Sequence, residues 1–399
     1  MFLITESIFT SSGGMSNLLF CCSLPDHAPV TDGKPKKVLL RFYGDQSRNC
    51  DMSVQLTVFK LLSKQDLGPR LYGDFDGGRI EEFLPANSLT CDELVNKEIS
   101  CIIARKLAAV HCLEVPMKRE STWILDRFYE WLEYIDKQSR SPTFNADTRQ
   151  STINVAHELL SIDFGVEVDF VREIFETSDS PIVFSHNDLH QGNILLAREC
   201  DRRPLLEQRL ILIDFEYCSY NYRAYDIANH FCEWCFEYDT KDWPHFDLFE
   251  DRLPSKEMQE EFVRNYLKQQ KLILRDKKPP TRKSFGEDTF DKRRINGKAI
   301  HRQEHNSNGH PNNNLNSTNG TSDDIKEELD KVMYEMKPFF MVSNLLWTLW
   351  CIRSAFCSDL KFGYWEHSMA RWRLYSKFKR EYIEEKKSAA NGLKNTPCT

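Results

Sequence analysis

The chain has 399 residues, 41% of them hydrophobic, enough to bury one large two-lobed domain or two small ones. Its net charge of −7, from 60 acidic and 53 basic residues, argues against nucleic acid or an anionic membrane surface as the main partner. No run of roughly 18 consecutive apolar residues suggests a membrane span, residues 1–6 lack the regions of a signal peptide, and the expected compartment is the cytoplasm, with the 13 cysteines as reduced thiols.

In chain order, residues 1–84 read as a small strand-rich lobe. Ser12-Gly13-Gly14-Met15-Ser16-Asn17 precedes the apolar run Leu18–Cys21, and two adjacent glycines let backbone N–H groups come close to phosphate oxygens. By itself the pair equally reads as an ordinary hairpin turn. A strand follows at 38–44, carrying Arg41, whose planar fork suits phosphate oxygens and whose plainer reading is a surface arginine. Val54, Val58, Leu61 and Leu62 give residues 54–64 a helical period. The second lobe opens with an amphipathic helix at 98–112, with Ile102, Ile103, Leu107 and Val110 toward the core. His111, at its end, is taken as structural, favoured by the helix dipole and free carbonyls. Residues 123–132 and 155–175 each read as a further helix.

The chemistry is concentrated in Ser185-His186-Asn187-Asp188-Leu189-His190-Gln191-Gly192-Asn193 and Ile213-Asp214-Phe215-Glu216. Apolar runs at 181–184, 193–196 and 210–213 read as buried strands that set these polar residues at their ends. The order is that of a phosphoryl-transfer site: Asp188 as the base for an attacking hydroxyl, Asn193 and Asp214 as hard oxygen ligands for magnesium. Taken singly, the same residues could close a turn or cap a strand. Trp347 and Trp350 share a helix face, which is core packing if the pair stands alone and a cation-binding wall beside such a site. Cys232-Glu233-Trp234-Cys235 lacks a second pair or a nearby ligand histidine, so zinc is not expected. Between Asp276 and Asp324 the composition turns basic and then rich in Asn, Ser and Gly; residues 276–324 are expected to be a disordered insertion between two helices of the second lobe, which spans 85–275 and resumes at 325–399.

With Asp214-Phe215-Glu216-Tyr217, Tyr220-Asn221-Tyr222-Arg223 and the run from Asp226 to Trp234 added, residues 12–375 resemble the choline/ethanolamine kinase family, and the choline type within it. The resemblance implies an α+β fold like that of protein kinases, with a small antiparallel β-sheet N-lobe and a larger, mainly helical C-lobe. It implies ATP and magnesium as cofactors and choline as substrate, with ethanolamine open as a second one. It places Gly13, Gly14, Ser16 and Asn17 in the ATP-binding loop, Arg41 on the phosphates, and backbone groups of Glu82 and Leu84 at the adenine edge. Tyr217, Glu233, Tyr238, Phe362 and His367 match pocket positions and join Trp347 and Trp350 around the substrate, with Glu233 supplying negative charge.

Three departures from the family pattern carry expectations. Gln55 stands where a helix glutamate pairs with the strand arginine, so that pair should be weaker. His367 replaces a tyrosine, and its protonation should weaken choline binding as pH falls. The glycine loop begins about ten residues after Met1, where family members carry helices first; a shortened isoform or incomplete gene model would expose apolar surface on the small lobe or alter a dimer interface, as homodimer or with a homologue. The alternatives are an ethanolamine kinase, an aminoglycoside-type phosphotransferase and a non-catalytic partner subunit.

Overall fold

The structure, a computed structural model, describes residues 3–8, 17–25, 27, 34–43, 52–199, 203–238, 240–277 and 322–394. Short alternating runs at the start form an antiparallel sheet of β1 (Leu3–Ile8), β2 (Asn17–Ser23), β3 (Lys37–Tyr43), β4 (Leu71–Phe75) and β5 (Gly78–Glu82), in the spatial order β1-β2-β3-β5-β4. The helix α1 (Met52–Lys64) lies between β3 and β4 in the chain and buries Val58 and Leu62, four apart on one face. Gly13, Gly14 and Ser16 lie outside the described residues, and Asn17 opens β2 just after them.

Pro85 separates this sheet from β6 (Ala86–Ser88), and α2 (Cys91–Leu94) and α3 (Lys97–His111) follow, each opened by its own cap. Thr90 and Glu93 form a reciprocal capping box for α2, and the Asn96 side chain accepts the N–H groups of Glu98 and Ile99 for α3. The helix α4 (Trp123–Ser139) continues past the predicted end at 132 because Ile135 extends the buried stripe of Phe128 and Trp131. The single helix predicted over 155–175 is two, α5 (Gln150–Leu160) and α6 (Phe164–Thr177). Asp163 breaks it by accepting the N–H groups of Gly165 and Val166, which starts a new helix.

The three apolar runs around the polar motif are β7 (Ile182–Ser185), β8 (Ile194–Ala197) and β9 (Leu210–Leu212), followed by β10 (Ser219–Tyr222). β7 pairs with β10, and β8 lies between β6 and β9. Between β8 and β9 sits the one-turn helix α7 (Leu206–Arg209). After β10 come α8 (Arg223–Glu233), the hairpin β11 (Phe236–Tyr238) and β12 (Phe246–Leu248), and α9 (Lys256–Lys277). Two long helices, α10 (Ser322–Cys357) and α11 (Tyr364–Lys394), complete the chain. Residues 278–321, most of the expected insertion, lie outside the described set.

Every residue of α10 from Phe339 to Leu349 is buried, and the helix packs against α4, α8, α9 and α11. A helix apolar on all sides belongs in an interior. By length and composition Ile325–Cys357 could also cross a membrane, a feature the search for unbroken apolar runs did not reveal; 78% of its apolar window is buried within the molecule.

Candidate active site

The segment 185–193 joins β7 to β8, and His186, Asn187 and Gln191 tie it to neighbouring elements. At its centre is Asp226 on α8, fully buried. Its carboxylate accepts the backbone N–H groups of His186 and Asn187, both at 2.8 Å, and the Nε2–H of His111 at 2.9 Å. Burial alone would raise the Asp226 pKa; the hydrogen bond and charge of His111, with help from His186, outweigh it and hold the value below the usual range. His111 passes its other ring nitrogen to the Tyr266 hydroxyl at 2.9 Å. It is structural, as expected, but by bridging α3, α8 and α9 rather than by capping carbonyls.

Asn187 has φ 67, a left-handed conformation that asparagine tolerates and most residues do not. Its side chain donates to the Tyr217 carbonyl at 2.9 Å and to Ser219 Oγ at 2.8 Å, and accepts from Asn221 at 2.8 Å. His186 donates Nε2–H to the Ile213 carbonyl at 2.9 Å and lies against the Phe215 ring, 4.5 Å between centroids. The Ile213 N–H in turn donates to the Asn193 carbonyl at 3.0 Å. Asp214, with φ 61, is thereby set beside Asn193. Strained backbone at both polar ends of the motif is held in place by these fixed partners.

Asp188 and His190 are part-exposed, their side chains 16% and 24% accessible. Asn193 donates Nδ2–H groups to the Asp188 carbonyl (2.8 Å) and to Oδ2 (3.2 Å), which leaves the Asn193 amide oxygen as an acceptor. Burial, then the charges of Glu233, Asp214 and Glu216, push the Asp188 pKa well above the ordinary carboxylate value. The negative charge of these three carboxylates, acting on Asp188, favours a cation nearby. Among the described residues no three His, Cys, Asp or Glu side chains make a ready-made metal cluster; Asn193 and Asp214 are the oxygen donors that could hold a magnesium ion here.

On the N-lobe side, Arg41 of β3 does find a carboxylate, from a place the sequence did not suggest. Glu81 on β5 accepts Arg41 Nε–H at 2.6 Å and Arg79 Nε–H at 2.9 Å, so the expected weakness from Gln55 is corrected: the neighbouring strand supplies the partner. The charges of Asp214 and Glu216 also reach Arg41. Glu82 donates its backbone N–H to the Arg70 carbonyl at 2.8 Å, so that N–H is not free for a nucleotide, and its carboxylate holds Arg203 in a two-point pair at 2.9 and 3.0 Å. Leu84 lies just beyond β5 in the link to β6.

The aromatic residues form an arc. Tyr217 meets Trp347 edge to face at 6.0 Å, Trp347 meets Trp350 at 5.7 Å, and Trp350 meets Tyr364 at 5.9 Å. From Tyr364 the chain of rings runs to Phe362 (5.0 Å), His367 (5.6 Å), Tyr238 (5.7 Å) and His190 (5.8 Å). His190 Nε2 is 3.9 Å from Asp188 Oδ2, which returns the arc to the polar motif. The indole N–H groups fix its far end: Trp347 donates to Asn229 at 2.8 Å and Trp350 to the Tyr217 hydroxyl at 3.2 Å.

Two expectations for this arc need correcting. Glu233 does not stand as a lone charge: it accepts Arg371 Nη2–H at 2.5 Å and the Tyr238 hydroxyl at 2.8 Å, and both charged partners are almost fully buried. His367 is buried in surroundings that disfavour its charged form. Burial among Phe236, Phe246 and Phe362, reinforced by the charge of Arg371, drives its pKa well below the ordinary value, and the Cys351 thiol donates to Nδ1 at 3.0 Å. Tyr364, Arg371, Asn229 and Asp226 were not singled out from sequence. Arg371 lies four residues after His367, one helical turn, and that spacing was the available signal.

The family model that matches residues 8–376, nearly the whole chain, is described as Choline/ethanolamine kinase. The chain belongs to that family. It is an ATP-dependent phosphotransferase with an alcohol group as acceptor. A human choline/ethanolamine kinase is 33% identical over 369 residues, spanning 92% of this chain and 79% of that protein. Mouse choline kinase alpha is 31% identical over 389 residues, spanning 92% and 74%. The crystal structure of choline kinase from Cryptosporidium parvum shares the fold, with a TM-score of 0.62 at 22% identity over 96% of this chain and 90% of that one. A Plasmodium vivax ethanolamine kinase does so with a TM-score of 0.59, also at 22% identity, over 94% and 82%. The two-lobed, protein-kinase-like architecture of the family is thus the architecture of this chain, with its antiparallel sheet at the N-terminal end and its helices beyond.

Proposed function

We propose that the chain is a choline kinase of the cytoplasm, transferring the γ-phosphoryl of ATP to choline to give phosphocholine and ADP, and that it uses ethanolamine less well. This is the first step from choline toward phosphatidylcholine. The observation that carries the reading is the ring arc from Tyr217 through Trp347 and Trp350 to Tyr238, which begins and ends at the motif holding Asp188. A quaternary ammonium offers no N–H donor, so aromatic faces and nearby carboxylates are the groups that can hold it. Glu233, neutralised in part by Arg371, contributes by fixing Tyr238; the excess negative charge of Asp188, Asp214 and Glu216 favours a cationic substrate.

In this reading Asp188 accepts the proton of the choline hydroxyl, and its raised pKa makes it a better acceptor than an ordinary carboxylate. Asn193, through its free amide oxygen, and Asp214 would hold magnesium, which when bound neutralises charge on the phosphates. Arg41, kept in position by Glu81, faces the phosphate side of the cleft. Gly13, Gly14, Ser16, Asn17 and the link at Leu84 would complete the nucleotide site. Aligning the hydroxyl with the phosphorus and neutralising charge do most of the work.

The test is a side-by-side measurement of choline and ethanolamine kinetics in wild type and Trp350→Leu. Loss of about 1.4 kcal/mol of cation–π attraction should raise the choline KM roughly tenfold and the ethanolamine KM less. Equal effects on both substrates would remove the cage from the reading, and a wild-type preference for ethanolamine would reverse it.

A further inference from the structure

Away from the aromatic arc, a cavity of about 370 Å³ opens between the α1–β4 connection, α3 and the segment leading through α7. Asp66 and Arg70 approach it from the small lobe; Arg105, Lys106, Arg203 and Glu207 line it from the large one. Two of these cations are already matched. Arg105 forms a two-point pair with Glu207 at 3.0 and 3.1 Å, and Arg203 does the same with Glu82. Lys106 is different: it is 8% exposed, and among the described residues no carboxylate lies within ion-pair distance of its ammonium. Burial lowers its pKa to about 8, with Glu207 and Asp66 acting in the other direction and Arg105 and Arg203 adding to the fall.

With the rest of its side chain buried, the Lys106 ammonium opens on the cavity, where an anion would meet it with no competing carboxylate of the described residues in contact. With Glu82 counted as the partner of Arg203, four cationic side chains stand against three acidic ones, an excess of one positive charge that favours an anion. Guanidinium and ammonium groups together are the donors that phosphate oxygens favour. We propose that this cavity is a second anion site, taking a phosphate group, free or as a small monoester, between Lys106 and Arg70. It is distinct from the nucleotide cleft, and it bridges the two lobes. The proposal does not depend on which amino alcohol is phosphorylated.

The experiment is calorimetric titration with inorganic phosphate and, separately, glycerol 3-phosphate, with the nucleotide cleft kept filled by a non-hydrolysable ATP analogue and magnesium. Saturable binding is expected, weakened at least about tenfold in Lys106→Met and in Arg70→Ala. Arg70 is exposed, so its variant tests the site even if Lys106→Met fails to fold. Trace labelling with acetic anhydride gives a second readout. At pH 8 about half of the Lys106 population should be free amine, far more than for an ordinary lysine, and phosphate should slow its acetylation at least about tenfold. Tighter binding of glycerol 3-phosphate would assign the site to monoesters, and tighter binding of the free ion to inorganic phosphate. Absence of saturable binding, or binding and labelling unchanged by the substitutions and by phosphate, would overturn the proposal.

Discussion

Asp188 owes its position to neighbours that a linear reading could not supply. The order Asp188, Asn193, Asp214 could be picked out because the proposed base and metal ligands fall on one loop and the next strand end. The residues that make the order effective come from elsewhere: Asp226 from α8, Asn221 from β10 and Glu81 from β5. Glu81 is forty positions from Arg41, and only the register of β3 against β5 brings them together. His367 shows the same limit in reverse. Its identity as a titratable residue was plain, but its burial among rings, which lowers its pKa, was not. The choline KM should therefore stay flat between pH 6 and 8. A rise toward pH 6 that disappears in His367→Tyr would show that the ring does charge in the pocket.

Among the elements, those with a clear period were legible and those set by a cap or a distant partner were not. The helices α1 and α3 were readable from their apolar spacing, whereas the break between α5 and α6 depends on one side chain, Asp163. The short hairpin of β11 and β12, which presents Tyr238 to the arc, carries too little pattern to be found alone. The junction of α3, α8 and α9 at the His111–Asp226–Tyr266 group is where the elements meet the active loop. Asp226→Asn keeps the size but cannot accept from both loop N–H groups and His111 at once, and should lower stability by about 2–4 kcal/mol. Urea unfolding at pH 7 measures this; a loss below about 0.5 kcal/mol would mean the loop is held by other contacts.

At the scale of the whole molecule, the core around α10 encloses several histidines in neutral form. His186 and His230 are fully buried and His367 nearly so. Burial lowers all three pKa values, that of His230 to about 4. The unfolded chain then binds more protons than the folded one below about pH 6.5. The stability due to these groups is complete above that value and declines as pH falls toward the folded pKa. For His230 alone the loss is on the order of 3 kcal/mol by pH 4. Asp226, with its lowered pKa, acts in the same direction at still lower pH. Thermal unfolding from pH 7.5 to 4.5 should show Tm falling steadily below about pH 6.5; a level profile would contradict neutral burial.

Transfer of phosphate to choline with Asp188 as base is tested most directly by choline-dependent ADP release from the purified chain and from Asp188→Ala. Wild type should release ADP in proportion to choline, and the variant should turn over at least about a hundredfold more slowly while unfolding at a similar temperature. Choline-independent release in wild type, or a folded variant with unreduced turnover, would contradict that assignment.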